Sequence, residues 1–221
     1  MNKLKLLRTI VASLATMTLA STAWATNIFK EHLDVFDIDY QQGILSLDYK
    51  TYTNMSAGVP LNNDDYSPTS NPVIVPLANT YVVPSSAQWS CLGAAGSTVY
   101  RLKQQFVSGE MWAGWNTQDV PTGVFVNNKV SLELVQVVSA PQGAKFVLYT
   151  TNSFGTPTYL LNTAPGACND QSMDISTNVH AHSWWAFSAP GSYTLRFRVT
   201  GALSAGGTAT SSTVDYQFIV Q

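Results

Sequence analysis

The stretch Ser192-Tyr-Thr-Leu-Arg-Phe-Arg-Val199 alternates polar and apolar side chains without interruption. Successive side chains of a β-strand point to opposite faces, so this alternation predicts a strand with one buried face. Similar alternation, or enrichment in Val, Tyr, Phe and Thr, recurs in residues 33–40, 44–53, 130–138, 145–151 and 213–220. Turn signals such as Gln42-Gly43 and Pro190-Gly191 separate these runs. The pattern predicts an all-β chain folded as an immunoglobulin-like or jelly-roll-type β-sandwich.

Residues 58–84 break this pattern. They hold five prolines and two Asn-rich patches, with one short apolar run at residues 73–77. We therefore predict a long loop over residues 58–84, which in a compact domain is either functional or mobile.

The first 25 residues have the features of an export signal. Lys3, Lys5 and Arg8 precede an uncharged stretch, which ends in the small-x-small triplet Ala23-Trp24-Ala25. This arrangement predicts a cleavable signal peptide over residues 1–25, and hence a periplasmic or secreted protein. After cleavage, residues 26–221 are long enough for one β-sandwich domain.

The net charge of the predicted mature chain limits the classes of partner that it can bind. Three of the 11 basic side chains lie in residues 1–25, which leaves eight against 13 acidic ones and a net charge of −5. An acidic domain repels the phosphate backbone, so we expect no nucleic-acid partner. No later run is long and apolar enough to span a membrane, so we expect no membrane span after signal cleavage.

Two cysteines, Cys91 and Cys168, lie in the mature part. In an oxidising compartment an even count favours a disulfide over a metal-binding or redox pair. A bridge between them would close a loop large enough to contribute about 4 kcal/mol of stability in the chain-entropy model.

The three histidines are the strongest functional signal. His180 and His182 lie two residues apart, as do His32 and Asp34, so each pair would share one face of a strand. Together they offer three imidazole nitrogens and a carboxylate oxygen, a set that suits tetrahedral zinc. The alternative is that these imidazoles hydrogen-bond to the backbone or pack beside neighbouring tryptophans.

The aromatic residues suggest a second kind of site. A stacking platform for a carbohydrate could be formed by Trp112, Trp115 and Trp184, together with Trp185 and Tyr100. Large aromatic rings also dominate sandwich cores, and this alternative predicts that most of them are buried. Nucleophile-elbow, zinc-protease and S-x-x-K motifs are lacking outside residues 1–25, so we predict no enzymatic activity.

Several ordered motifs resemble one bacterial family. They are Glu31-His-Leu-Asp-Val35, Met111-Trp-Ala-Gly-Trp-Asn-Thr117 and His180-Ala-His-Ser-Trp-Trp-Ala-Phe-Ser-Ala-Pro-Gly-Ser-Tyr-Thr-Leu195. The chain is similar in these motifs to the choice-of-anchor M domain family of exported and surface-anchored proteins, related to the ABC-transporter-associated surface repeat. The resemblance covers residues 31–199.

The resemblance implies an extracytoplasmic β domain with His32, His180 and His182 as metal ligands. It also implies an ABC-transporter component or a cell-surface molecule as partner. Family members often carry a second His-x-His, where this chain has Asp48-Tyr-Lys50; Asp48 could ligate, whereas protonated Lys50 could not.

We therefore expect a non-catalytic accessory protein that binds Zn²⁺ or a similar ion through these histidines, with Asp34 or Asp48 as oxygen ligand. The alternative is a structural or adhesive surface module without metal, which could contact carbohydrate.

Overall fold

The computed structural model describes residue 28 and residues 32–51, 66–164, 168 and 170–221. Within these residues the chain forms fifteen strands and two short 3₁₀ turns, with no α-helix. The predicted all-β sandwich is confirmed. The predicted signal peptide lies outside the described residues, as does Glu31. None of the helical segments in the described part is long and apolar enough to cross a membrane.

Three hydrogen-bonded sheets build the sandwich. The first has the order β11-β6-β1-β2. Its strands are β1 (His32–Gln41), β2 (Ile44–Thr51), β6 (Trp112–Asn116) and β11 (His180–His182). β1 runs antiparallel to β2 but parallel to β6, and β11 is antiparallel to β6. β6 therefore lies between β1 and β11.

The second sheet has the order β10-β7-β13-β15-β3, with β14 paired to β13. These strands are β3 (Val73–Val75), β7 (Lys129–Ser139), β10 (Ser172–Ser176), β13 (Gly191–Ala202), β14 (Thr208–Thr210) and β15 (Val214–Val220). The third sheet has the order β4-β5-β12-β8-β9. It comprises β4 (Thr80–Val82), β5 (Thr98–Leu102), β8 (Phe146–Thr151), β9 (Pro157–Asn162) and β12 (Trp184–Phe187).

An aromatic core joins the three sheets. The ring of Phe36 on β1 contacts Trp185 on β12 at 5.1 Å between centroids, Phe197 on β13 at 4.7 Å and Tyr216 on β15 at 5.2 Å. All four rings are fully buried. Burial of such rings stabilises the fold by removing a large apolar area from water. The sandwich therefore packs around a core that uses no histidine.

The predicted strands agree with the structure to within three residues at each described end. The run Ser192–Val199 lies within β13, whose buried residues alternate with partly exposed ones from Ser192 to Ala202. Gln42 and Gly43 both have positive φ angles, 51° and 86°, and join β1 to β2 as a two-residue turn. Such turns match the right-handed twist of paired strands.

The predicted loop over residues 58–84 contains two three-residue strands within its described part, residues 66–84. Val73–Val75 forms β3, which pairs in parallel with β15, and Thr80–Val82 forms β4, which pairs with β5. Prolines flank β3 on both sides but do not interrupt it, so its backbone donors remain free to pair. Residues 58–65 lie outside the described part of the chain.

The predicted disulfide is present. Cys91 and Cys168 are bonded with their Cα atoms 5.4 Å apart, although 77 positions separate them in the chain. Bridges of this kind are typical of proteins that mature in an oxidising compartment.

Candidate metal centre

The three histidines and Asp34 converge on one face of the first sheet. His32 and Asp34 lie on β1, and His180 and His182 lie on β11. Each of the four residues offers one ligand atom, and these atoms all lie within 4.8 Å of one another. The structure therefore brings together all three predicted histidine ligands and one of the two predicted oxygen ligands.

The distances between ligand atoms are short. Nε2 of His180 lies 3.1 Å from Nε2 of His32 and 2.9 Å from Oδ1 of Asp34. The distance from Nε2 of His32 to Oδ1 of Asp34 is 3.8 Å. In a tetrahedral zinc site with bonds of 2.0–2.1 Å, neighbouring ligand atoms lie about 3.3 Å apart. These three spacings bracket that value, so the atoms of His32, His180 and Asp34 fit a small tetrahedral ion, and His182 offers a fourth ligand atom within 4.8 Å of the others.

Burial differs among the four residues. The side chain of Asp34 is completely buried, whereas those of His32 and His180 remain 16% and 24% exposed. A buried carboxylate is costly unless it is paired with a cation or coordinates a metal. The exposed edges of the two imidazoles leave a route between the cluster and solvent.

Gly114 makes this convergence possible. In the register of the sheet, Gly114 on β6 lies opposite Asp34 on one side and opposite His182 on the other. A Cβ atom at Gly114 would lie 2.3 Å from the carbonyl oxygen of Ala181 and 2.7 Å from Nδ1 of His182. Any other residue would therefore push β11 away from β6 or displace the imidazole.

His182 has the most unusual environment of the cluster. Both of its ring nitrogens are buried without a hydrogen bond of good geometry in the described residues, although the Ala113 backbone lies close enough to act as a weak partner. Its ring stacks on the indole of Trp112, with centroids 3.6 Å apart and planes 10° from parallel. A buried imidazole normally satisfies at least one nitrogen, so a metal ion would remove an energetic deficit here.

The imidazoles of His32 and His182 are poor bases in this setting. Burial, followed by repulsion from His180, lowers the pKa of His32 to about 4. Burial, followed by repulsion from His32 and His180, lowers the pKa of His182 to about 4. Both rings are thus neutral at neutral pH, which is the form that binds metals.

The segment that precedes His180 is firmly held. The Thr117 hydroxyl donates to the carbonyl of Ser176 at 2.8 Å and accepts from the backbone N–H of Val179 at 3.0 Å. The Thr117 N–H also donates to the carbonyl of Val179 at 2.8 Å. Because Thr117 directly follows β6, these bonds fix the start of β11 relative to the middle strand.

Asp48 does not join the cluster. It lies on β2, opposite Asp37, and is not among the residues whose ligand atoms converge. Lys50 is occupied elsewhere, since its ammonium lies 2.6 Å from Asp119 and 3.8 Å from Asp37. It thereby offsets part of the negative charge of a second group of acidic residues, formed by Asp37, Asp39 and Asp119.

The candidate stacking tryptophans do not form one platform. Trp115 is only 9% exposed and belongs to the core, so its ring is not available to a surface ligand. Trp112 stacks on His182, whereas Trp184 lies on a different sheet. The guanidinium of Arg101 covers the ring of Trp184 at 3.9 Å. The burial of Trp115 agrees with the alternative that places these rings in the core, and it separates Trp115 from any carbohydrate face at Trp112 or Trp184.

Sequence reasoning missed the contribution of β6. Trp112, Gly114 and Asn116 alternate along this strand, so they share the face that carries the ligands on the neighbouring strands. The signal was present as a glycine between two tryptophans, a position where close approach of another group is common in strands. The partner strands could not be read from that spacing.

No protein-family model, curated protein or solved structure matches this chain.

Proposed function

We propose that this chain is an exported, non-catalytic protein that binds a zinc-like divalent ion through His32, His180, His182 and Asp34. The observation that carries the proposal is the convergence of their four ligand atoms within 4.8 Å. The buried nitrogens of His182, which lack a hydrogen bond of good geometry in the described residues, support it further, because a bound ion would satisfy one of them.

The donor set indicates the class of ion. Three imidazole nitrogens and one carboxylate oxygen suit zinc and its late first-row neighbours. Calcium takes six to eight oxygen ligands, and magnesium retains several waters in an octahedral shell. Neither of those ions matches a compact, nitrogen-rich set of four.

Binding fits the cluster better than catalysis. Catalytic zinc sites keep three protein ligands and leave a fourth position open for water or substrate. Here four side chains offer ligand atoms to one centre, and they would occupy all four coordination positions of a tetrahedral ion. The large aromatic core packs without the histidines, so the fold does not depend on the ion. The ion would therefore be cargo rather than a structural metal.

The biological setting rests on the resemblance to the choice-of-anchor M domain family. By that resemblance, the protein would be an accessory of a metal-uptake or surface system, with an ABC-transporter component or a cell-surface molecule as partner. The Cys91–Cys168 disulfide is compatible with work outside the cytoplasm.

The test is metal content. The chain without residues 1–25 and without a His tag would be loaded with zinc, desalted and weighed by native mass spectrometry beside the His180→Ala/His182→Ala variant. We expect one zinc per chain in the wild type and none in the variant. Absence of zinc from the loaded wild type would overturn the proposal and favour a structural or adhesive module.

A further inference from the structure

The middle strand of the candidate metal centre supplies no ligand, yet one of its side chains touches two of the histidines. The indole of Trp112 stacks on His182 at 3.6 Å and meets the ring of His32 at 4.7 Å. We propose that Trp112 is a positioning residue, which holds the His182 ring in its ligating orientation and strengthens metal binding. This inference rests on the proposed function.

The His182 ring relies on this stack because hydrogen bonding orients it only weakly. Neither ring nitrogen makes a hydrogen bond of good geometry in the described part of the chain, although the Ala113 backbone acts as a weak partner. In most metal-binding histidines the nitrogen that faces away from the ion is held by a carboxylate, a carbonyl or a water. The near-parallel indole, with Gly114 close to Nδ1, adds to this weak contact in holding the His182 ring.

Trp112 is itself fixed in place. Its Nε1 donates to the carbonyl oxygen of Gln104 at 2.8 Å, and the Gln104 side chain accepts from the backbone N–H of Thr151 at 2.8 Å. Phe106 packs edge-on against the indole at 5.5 Å. A ring restrained on several sides can impose its orientation on its neighbour.

The stack should be stronger when metal is bound. A metal-bound imidazole carries part of the positive charge of the ion, and the face of an indole attracts positive charge. The free protein holds the same stack with a neutral imidazole, for which this attraction is weaker. The difference between the two states would appear as metal affinity rather than as stability of the metal-free fold.

Trp184 provides a matched control. Like Trp112, it is half-buried and donates one hydrogen bond from Nε1, here to Thr151 Oγ1 at 3.1 Å. Its ring stacks on Tyr149 and Arg101 rather than on a histidine. Replacement of Trp184 therefore reproduces the loss of a half-buried indole without removing a ring contact to a histidine, and it also tests the link from Trp184 through Thr151 and Gln104 to Trp112.

The experiment compares Trp112→Leu, Trp112→Phe and Trp184→Phe with the wild type. Zinc affinity would be measured by competition with a chromophoric chelator, and the ligand field by the visible absorption of bound Co²⁺. We expect affinity to fall about tenfold in Trp112→Leu and about threefold in Trp112→Phe, which keeps a ring, and to stay within twofold in Trp184→Phe. The Co²⁺ spectrum should change in Trp112→Leu alone.

The possible outcomes distinguish the positioning role of Trp112 from the proposed metal-binding function. If the wild type and Trp112→Leu bind zinc equally and give the same Co²⁺ spectrum, the positioning role is wrong while the proposed function stands. If the wild type binds neither ion, both fall. Should Trp112→Leu fail to fold, a Trp112→Phe affinity equal to that of the wild type would overturn the inference.

Discussion

Nε2 of His32 lies 3.1 Å from Nε2 of His180, although 148 positions separate the two residues in the chain. The rings are stacked 8° from parallel, with Oδ1 of Asp34 2.9 Å from His180. Two imidazole nitrogens at that distance share at most one proton without strong repulsion. A shared proton gives an N–H···N hydrogen bond between the rings in the metal-free protein. A cation in place of that proton would contact both nitrogens and the Asp34 carboxylate, which is why the spacing supports a metal ligand set.

Asp34, rather than Asp48, should provide the oxygen ligand. Asp34→Asn keeps the shape of the side chain but removes its charge, so we expect zinc affinity to fall on the order of 100-fold, the upper end of the loss seen for supporting groups of metal sites. Asp48→Asn is the control, because Asp48 lies outside the cluster. Isothermal titration calorimetry measures the zinc affinity of both variants. A larger loss of affinity in Asp48→Asn than in Asp34→Asn would contradict the assignment.

Gly114 should be required for the site although it binds nothing. The Cβ of Gly114→Ala would lie 2.3 Å from the Ala181 carbonyl oxygen, so β11 must move and carry both of its histidines away from β1. We expect about 2 kcal/mol of destabilisation from overpacking. Zinc affinity should fall on the order of 100-fold, the upper end of the loss seen for supporting groups of metal sites.

Gly201→Ala is the control that distinguishes the loss of stability expected in Gly114→Ala from the loss of zinc affinity. Its Cβ would lie 2.5 Å from the ring of Phe125, so it overpacks the core at a position on β13. We expect a similar loss of stability by urea unfolding and zinc affinity within about twofold of the wild type. Equal losses of zinc affinity in the two variants would show that general destabilisation, and not the space above Gly114, governs binding.

The metal-free protein should remain folded. The core contacts of Phe36 with Trp185, Phe197 and Tyr216 involve no metal ligand. A chelator should therefore leave the far-ultraviolet circular dichroism spectrum unchanged. Zinc at 100 times its Kd should add about 2.7 kcal/mol of stability and raise Tm. The His180→Ala/His182→Ala variant is the control, and a Tm rise of the same size in that variant would assign the effect to another site.

The sequence predicts the strands of this fold better than their arrangement. Period-two alternation locates β1, β2, β7, β8, β13 and β15, because side-chain alternation is a local property of a strand. It also places His180 beside His182, and His32 beside Asp34. It does not reveal that β6 separates β1 from β11, since strand order depends on contacts distant in the chain.

That missing strand order explains the errors at the site. Without it, Asp34 and Asp48 are equivalent candidates, and the glycine at position 114 has no visible purpose. Trp112 and Trp115 are also indistinguishable by residue type, although opposite faces of β6 place one beside His182 and the other in the core. The short strands β3 and β4 were missed because a few residues between prolines carry too little pattern.

Acid should destabilise the metal-free protein through the cluster. The pKa values of His32 and His182 are about 4 in the fold, against 6.5 for a free imidazole. Between those values the unfolded chain binds protons that the folded chain does not, so stability is full above about pH 6.5 and falls as the pH drops toward 4. A pKa difference of one corresponds to about 1.4 kcal/mol. With allowance for partial exposure, we expect protonation of the two histidines to lower the free energy of unfolding by about 3 kcal/mol.

The measurement is urea unfolding of metal-free protein at intervals from pH 7 to pH 4.5, for the wild type and for His32→Asn/His182→Asn. Carboxylates that titrate in this range are common to both proteins, so the difference between the two curves isolates the histidines. We expect the wild type to lose stability relative to the variant as the pH falls. Parallel curves would mean that the two imidazoles are as basic in the fold as in water, and that burial does not hold them in the neutral form that metals require.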